Sequence, residues 1–171
     1  MIVKRIFFIL ILLLAMIVNS NAQEKAKVVV NGLQVCDMYT RAQMYEALGG
    51  TPDKIEANIE EPGSFSFYYG KDMFYWRYEG LDAYKDGIDH HCFGGCHIYT
   101  DRYVVFDSIR VGDPISKLSA LHGETEDMPE LGCVEWYPSK AERNRDGMDV
   151  RFYYNETSRT ISRIEIFVYF L

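Results

Sequence analysis

Histidine and cysteine are concentrated in one short stretch of this sequence, DHHCFGGCHIY, at residues 89–99. It holds two of the four cysteines and three of the four histidines of the chain. Thiolates and imidazole nitrogens are ligands that zinc prefers, and a C-x2–4-C spacing is common in zinc sites. The stretch therefore offers one candidate metal centre, whose possible ligands are His90, His91, Cys92, Cys96 and His97.

Two further chemistries are open to the same stretch. A haem-attachment motif reads C-x-x-C-H, whereas Cys92 to His97 reads C-x-x-x-C-H, which is one residue longer. A catalytic cysteine would need a base and an orienting group, and neighbouring positions in the sequence do not supply that geometry. A periplasmic metal- or haem-binding protein centred on residues 90–97 stays open as the alternative function.

The amino-terminal end of the chain predicts export. Lys4 and Arg5 precede an unbroken apolar run from Ile6 to Val18, and small residues occupy the −3 and −1 positions of a cleavage site after Ala22. This is the pattern of a secretory signal peptide, here residues 1–22, and the run is shorter than a membrane-spanning helix needs. We therefore expect an exported protein, in the bacterial periplasm or secreted, with no membrane insertion after cleavage.

Export changes the interpretation of the four cysteines, because exported cysteines usually become oxidised. The sequence predicts two disulfides, and three pairings are possible. A bond between Cys92 and Cys96 would close a small ring across two glycines, and it would leave Cys36 to pair with Cys133. The other two pairings would tie this segment to the flanking parts of the chain. Residues 89–99 are accordingly expected to form a glycine-hinged loop.

Charge and missing motifs exclude several classes of function. Removal of the signal peptide leaves 16 basic against 25 acidic residues, a net charge of −9. This balance argues against nucleic acid and anionic membrane surfaces as partners. The sequence contains no G-x-S-x-G, no Walker-type loop and no H-E-x-x-H. We therefore predict neither an enzyme nor a cofactor.

Two stretches of the chain resemble each other. AKVVVNGLQVCDMYTR (26–41) aligns without a gap with RYVVFDSIRVGDPISK (102–117), at an offset of 76. Each continues into a short helical pattern that stops at glycine. The identical pairs are Val28/Val104, Val29/Val105, Val35/Val111 and Asp37/Asp113. The alignment predicts two copies of one structural unit.

The two helices carry recognisable capping residues. Thr40 is the N-cap candidate of the first, with Gln43 at the spacing of a capping box and Gly49 as a left-handed C-cap. In the second, Asp113 can cap and Pro114 suits the first helical position. Both helices are too short to be stable alone, so each must pack on a sheet.

Period-two alternation of apolar residues predicts the strands of that sheet. They are Ser64–Tyr69, Met73–Tyr78, Cys133–Tyr137, Met148–Tyr154 and Ile161–Phe170. The predicted fold class is α+β, with two tandem copies of a short helix followed by an antiparallel β-meander, the helices packed on one face of a curved sheet. The predicted units are residues 23–79 and 102–171, joined by a linker at 80–101 that contains the Cys/His stretch.

The two copies contain the segments GLQVCDMYTRAQMYEALGGTPD and SIRVGDPISKLSALHGETED. These segments resemble the tandem repeat of beta-lactamase-inhibitor-protein-like folds. They also resemble the small outer-membrane-lipoprotein-A family, which accompanies barrel assembly. The resemblance implies an exported binding module, an inhibitor or an assembly accessory, that uses a concave sheet face as its contact surface. This chain departs from the lipoprotein family because no cysteine follows its apolar run, and it carries a longer stretch, Gly80–Arg102, between the two copies.

Alternation also divides the aromatic residues between two faces. Phe65, Phe67, Phe74 and Trp76 are assigned to the core. Exposed tyrosine and arginine are typical contact residues of interfaces. The candidate binding residues on the opposite face are Tyr68, Tyr75, Arg77, Tyr153, Phe167 and Tyr169.

Together these features predict a non-catalytic, disulfide-stapled protein-binding module of the cell envelope, either inhibitor-like or assembly-accessory-like. Its expected partner is a protein of the cell envelope or the exterior, and not nucleic acid.

Overall fold

The computed structural model describes residues 27–58, 63–77, 90–139 and 147–169. The predicted signal peptide, residues 1–22, lies outside this part of the chain. The strands are β1 (Val29–Val30), β2 (Leu33–Gln34), β3 (Met38–Thr40), β4 (Lys54–Ala57), β5 (Ser64–Tyr69), β6 (Asp72–Arg77), β7 (His90–Ile98), β8 (Glu124–Met128), β9 (Cys133–Tyr137), β10 (Met148–Tyr154) and β11 (Ile161–Val168). The helices are α1 (Arg41–Leu48) and two 3-10 helices, Ile115–Ala120 and Pro129–Leu131. Within the described ranges, no helix has the length and apolar character needed to cross a membrane.

Nine of these strands form one antiparallel sheet. Its order is β4-β5-β6-β7-β11-β10-β9-β8, with β3 also paired to β7, while β1 and β2 form a separate hairpin. Strand makes up about 50% of the described residues and helix only 14%. The predicted fold class, α+β with two tandem helix-plus-meander copies, is therefore wrong. The pairing of β7 with β11 joins the strands in one sheet, and only one α-helix forms in the described part of the chain.

The stretch expected to be a loop is instead the central strand of the sheet. One edge of β7 pairs with β6, and the other pairs with β11 and β3. Gly95 is required there by close packing, because a Cβ at this position would fall 2.1 Å from the carbonyl oxygen of Ile166. The glycines coincide with a register shift between β6 and β7, a β-bulge. The boundaries drawn around residues 80–101 stay predictions.

The capping motif predicted for the first helix is confirmed. Thr40 Oγ1 accepts a hydrogen bond from the backbone N–H of Gln43 (3.3 Å), and Gln43 Oε1 accepts one from the backbone N–H of Thr40 (2.8 Å). Gly49 ends α1 in the left-handed conformation, with φ at 91°. Met44 and Leu48 are buried, so this short helix is stabilised by its packing on the sheet.

The second predicted helix is a 3-10 helix, Ile115–Ala120, and the helix cap expected from Asp113 is not formed. Asp113 Oδ2 instead accepts hydrogen bonds from the backbone N–H of Arg110 and from Lys117 Nζ, both at 2.8 Å. The Asp113 carbonyl accepts the backbone N–H of Ile161 at 2.8 Å. Gly112 N–H also donates to the Ile161 carbonyl, so residues 112–113 are held against the start of β11. Pro114, predicted at the first helical position, is extended with ψ at 139° and precedes the helix.

Most of the strands predicted from alternation are confirmed. Ser64–Tyr69, Cys133–Tyr137 and Met148–Tyr154 have the predicted bounds. The other two are observed as β6 and β11, and residues 78 and 170, at their predicted ends, lie outside the described residues. Alternation depends only on neighbouring residues, so the strands that it predicts form even though their overall arrangement differs from the predicted one.

One face of the sheet, here called the inner face, forms the core. Phe67, Phe74 and Trp76, all assigned to the core from sequence, are at most 2% exposed, and Phe65 is half-buried against them. The inner face is covered by α1, by the β1–β2 hairpin and by the segment 103–109. The opposite face, here called the outer face, has no such covering layer among the described elements.

Candidate functional site

The outer face carries the candidate binding residues. Alternation along β6 sends Phe74 and Trp76 to the inner face and Met73, Tyr75 and Arg77 to the outer face. Directly paired residues share a face, so the register carries this assignment across the sheet. The register places five predicted contact residues on the outer face: Tyr68, Tyr75, Arg77, Tyr153 and Phe167. The sixth, Tyr169, follows the end of β11 and is hydrogen-bonded to Asp149, which pairs with Phe167 on that face.

Phe167 and Tyr169 are the most exposed of the six side chains, at 37% and 55%. Tyr169 is oriented by its hydroxyl, which donates a hydrogen bond to Asp149 Oδ2 at 3.1 Å. The ring of Tyr153 lies under the guanidinium group of Arg163, whose central carbon is 3.8 Å from the ring centroid. Rings whose orientation is already fixed lose little side-chain freedom when a partner covers them.

A depression of about 510 Å³ opens on the outer face where β6, β7 and β11 meet. Met73, Tyr75, Phe167 and Tyr169 stand around it, and Gly94 lies in its lining. The glycine-containing bulge of β7 carries no side chain to fill this space. The bulge that shifts the register therefore also leaves room for the depression.

His97 forms part of the wall of the depression. Its Nδ1 lies 3.8 Å from Glu165 Oε1, and its ring makes an edge contact with Phe167 at a centroid distance of 4.8 Å. The side chain is 24% exposed, and Nε2 has no hydrogen-bond partner within the described structure. Burial lowers the pKa of His97 and outweighs the carboxylate of Glu165, which acts in the opposite direction.

Charged side chains of both signs surround the aromatic residues. Arg163 Nε lies 3.2 Å from Glu165 Oε1. Arg151 Nη2 lies 2.8 Å from Asp149 Oδ2, and its Nε lies 3.6 Å from Glu135 Oε1. A surface of mixed sign suits a protein with complementary charges better than a polyanion.

Sequence reasoning identified the aromatic residues but missed part of the depression. Met73 and His97 line it, and neither was a contact candidate. Alternation with Tyr75 already places Met73 on the same face, so its signal was available. The place of His97 depends on the bulge, which alternation does not reveal. Three predicted residues lie on the outer face without lining the depression: Tyr68, Arg77 and Tyr153.

The two cysteines of the Cys/His stretch lie on opposite faces of the sheet. Cys92 pairs with Arg77 on the outer face, whereas Cys96 pairs with Phe74 on the inner face. The bulge between them produces this difference, since four residues of regular strand would keep them on one face. They cannot be adjacent ligands of one metal ion.

The histidines do not complete a metal site in the described structure either. His97 is on the outer face, and His91 is buried opposite Tyr39 of β3. The side chain of His90 lies outside the described residues. Among the residues that the structure describes, no group of three or more His, Cys, Asp or Glu side chains could hold a metal ion.

All four cysteines are thiols in the structure. Cys36 is exposed, and the other three are buried. Burial raises the pKa of Cys96 well above its usual range, and it raises the pKa of Cys133 as well. Neither residue therefore supplies the thiolate that nucleophilic chemistry requires near neutral pH.

Comparison of the chain with known protein families, with curated proteins and with solved structures gives no match. The resemblance to beta-lactamase-inhibitor-protein-like folds and to the small outer-membrane-lipoprotein-A family stays a prediction from two sequence segments.

Proposed function

We propose that this protein is an exported, non-catalytic binding module of the cell envelope that engages a protein partner through the outer face of its sheet. The unequal covering of the two sheet faces carries this proposal. The inner face is packed under α1, the β1–β2 hairpin and residues 103–109, whereas the outer face leaves Phe167 and Tyr169 exposed beside a depression. Exposed aromatic residues next to a concave surface are typical of protein-binding sites.

The depression is suited to one apolar side chain of the partner. Met73, Tyr75 and Phe167 provide apolar walls around the bulge of β7. Full burial of a leucine- or phenylalanine-sized side chain is worth about 1.5–3 kcal/mol. The ion pairs of Arg151 and Arg163 supply the polar rim that commonly surrounds such a contact.

Three further observations support parts of the proposal. Export rests on the signal-peptide pattern of residues 1–22, and the inhibitor-like or assembly-accessory-like role rests on the resemblance of the two sequence segments. The net charge of −9 expected after cleavage disfavours nucleic acid as a partner. The raised pKa values of Cys96 and Cys133 disfavour a thiol enzyme.

The proposal is tested by removing the two exposed rings. The purified protein and its Phe167→Ala/Tyr169→Ala variant are immobilised, and proteins retained from an envelope fraction of the producing organism are quantified by mass spectrometry. We expect one envelope protein to be retained by the parent protein and depleted at least tenfold by the double variant. A contact of about 2 kcal/mol is typical of central aromatic anchors and corresponds to such a loss.

Leu131→Ala is the matched control, since Leu131 is 52% exposed and lies in the 3-10 helix Pro129–Leu131 between β8 and β9. It removes a similar exposed apolar group away from the depression. The proposal fails if the double variant and the Leu131 variant retain the same proteins in the same amounts as the parent.

A further inference from the structure

We infer that Cys36 and Cys92 are a redox pair that an oxidant joins in a disulfide, and that Cys96 and Cys133 stay outside it. Strand geometry selects this pair. A disulfide requires Cα atoms about 4.4–6.8 Å apart, so its two cysteines must be close neighbours. Each of the other pairings places the two cysteines too far apart. Cys36 contacts Phe93, whereas Val134, next to Cys133, is in register with Ile98, roughly 13 Å further along β7.

Cys92 and Cys96 are separated along one strand. Cys92 and Cys96 pair with Arg77 and Phe74, which are three residues, roughly 10 Å, apart in β6, and the bulge sends the two cysteine side chains to opposite faces. Cys133 lies in β9, three strands away from β7 across β11 and β10. Three strand spacings amount to roughly 14 Å, which excludes Cys133 as a partner of either cysteine in β7.

Cys36 lies beside Cys92 at the other edge of β7. The backbone N–H of Cys36 donates to the carbonyl of Phe93 at 2.8 Å, and Met38 pairs directly with Cys92. Cys36 and Cys92 are thus on neighbouring chain segments, offset by about one residue. With the usual spacing between and along strands, this arrangement puts the Cα atoms of Cys36 and Cys92 roughly 6 Å apart, within the range that a disulfide needs. Cys96 lies three residues beyond Phe93 and faces the core, so Cys36 does not reach it.

The backbone at Cys36 gives an independent reason to look for a role of its sulfur. Its φ is 68°, and Asp37 N–H donates to the carbonyl of Gln34 at 3.2 Å, so Cys36 occupies the third position of a tight turn that favours glycine. The aligned residue of the second stretch is Gly112, with φ at 94°. Cysteine here accepts an unfavourable conformation, and it presents an exposed thiol next to a buried one.

Cys36 is exposed and Cys92 is buried, so a disulfide-bonded oxidant reacts with Cys36 first. The Cys36 thiolate attacks one sulfur of the oxidant, whose S–S bond breaks and whose first half leaves as a thiol with the proton from Cys36. Cys92 then attacks the Cys36 sulfur of the mixed disulfide, and the second half leaves as a thiol with the proton from Cys92. Two electrons pass to the oxidant, and the turn that precedes β3 becomes bonded to β7.

The test is non-reducing tryptic mapping of the whole protein, reduced first and then equilibrated with glutathione disulfide. Remaining thiols are blocked by alkylation after unfolding. Cys36 falls in the tryptic peptide 28–41, Cys92 and Cys96 fall together in 86–102, and Cys133 falls in 118–140. We expect peptide 28–41 to be linked to 86–102, with an intact mass two hydrogen atoms lower and Cys133 alkylated.

Serine variants identify the cysteine within peptide 86–102. The link should persist in Cys96→Ser and Cys133→Ser and disappear in Cys36→Ser and Cys92→Ser. The parent protein and Cys96→Ser decide the matter even if Cys92→Ser does not fold. Absence of the link in the oxidised parent protein, its loss in Cys96→Ser, or a link to peptide 118–140 would overturn the assignment. None of these results depends on the partner of the outer face.

Discussion

His97 faces Glu165 directly across β7 and β11, with Nδ1 3.8 Å from Oε1. Despite this carboxylate, burial lowers the pKa of His97 below its ordinary value. A titratable group whose protonation is opposed by the fold therefore stands in the wall of the depression, beside Phe167.

Stability is expected to fall as the pH drops below about 6.5, the ordinary pKa of histidine. In that range the unfolded chain binds a proton at His97 that the folded protein binds only at lower pH, so the free energy of unfolding rises with pH. The contribution of neutral His97 to the free energy of unfolding is complete above the pKa that His97 has in the unfolded chain. It is lost as the pH falls through the lower pKa that His97 has in the folded protein. Urea unfolding between about pH 5 and 7.5 should show a shallower pH dependence for His97→Gln than for the parent protein. His122→Gln is the matched control, and an equal effect of both substitutions would contradict the prediction.

Gly95→Ala is expected to destabilise the sheet at its centre by about 3 kcal/mol, because the added Cβ would lie 2.1 Å from the backbone oxygen of Ile166, which cannot rotate away. Gly70→Ala is the control: its φ is also positive, at 65°, but no atom lies within 4 Å of the added Cβ. That substitution should cost only about 1 kcal/mol of backbone strain. Urea unfolding measures both, and similar losses would refute the role of Gly95 in bringing β7 and β11 together.

Asp72→Ala is expected to cost about 3 kcal/mol. The carboxylate of Asp72 is buried and accepts hydrogen bonds from the backbone N–H groups of Tyr99 (2.6 Å) and Thr100 (3.1 Å), both of which would lose this acceptor. Asp53→Ala provides the comparison, since Asp53 Oδ2 makes a similar bond to Gly70 N–H at 2.7 Å in an exposed position. Water can replace that acceptor, so the loss there should be about 1 kcal/mol or less. Equal losses in thermal or urea unfolding would show that burial of Asp72 is unimportant.

Phenylalanine substitutions should distinguish the two faces of the sheet. Phe74 is fully buried on the inner face, and Phe74→Ala should lower the free energy of unfolding by about 3–5 kcal/mol. Phe167 is 37% exposed on the outer face, and Phe167→Ala should cost about 1 kcal/mol or less. Urea unfolding checks both values. A large loss for Phe167→Ala would mean that this ring belongs to the core, and it would remove the basis of the proposed contact surface.

Local signals in the sequence predicted the strands well and their arrangement poorly. Ser64–Tyr69 and Met148–Tyr154 have the predicted bounds because alternation acts between neighbouring residues. β7 was missed because Gly94 and Gly95 interrupt its alternation, and its stability as a strand comes from partners distant in the chain. The helix at 115–120 was assigned the wrong type because contacts with β11 outweigh the local capping pattern.

The candidate site shows the same division. Alternation predicted that Tyr75, Phe167 and Tyr169 lie opposite the core, as they do, because successive side chains of a strand point to opposite faces. Their role in binding stays a prediction. Their meeting around one depression depends on the register of β6, β7 and β11, which no single strand encodes. The position of His97 depends on the bulge in β7, because a bulge changes the face to which the following side chains point. Alternation in the sequence does not show where such a bulge occurs.

The central place of β7 has a consequence for the order of folding. Its neighbour β11 is the last described strand along the chain, yet it lies in the middle of the sheet. A chain emerging from its amino terminus would therefore complete β4 to β7 first and hold an open hydrogen-bonding edge until β11 arrives. Such edges recruit strands from other chains, and distant pairings form slowly. A nascent or shortened chain lacking β11 should thus be the form most prone to aggregation.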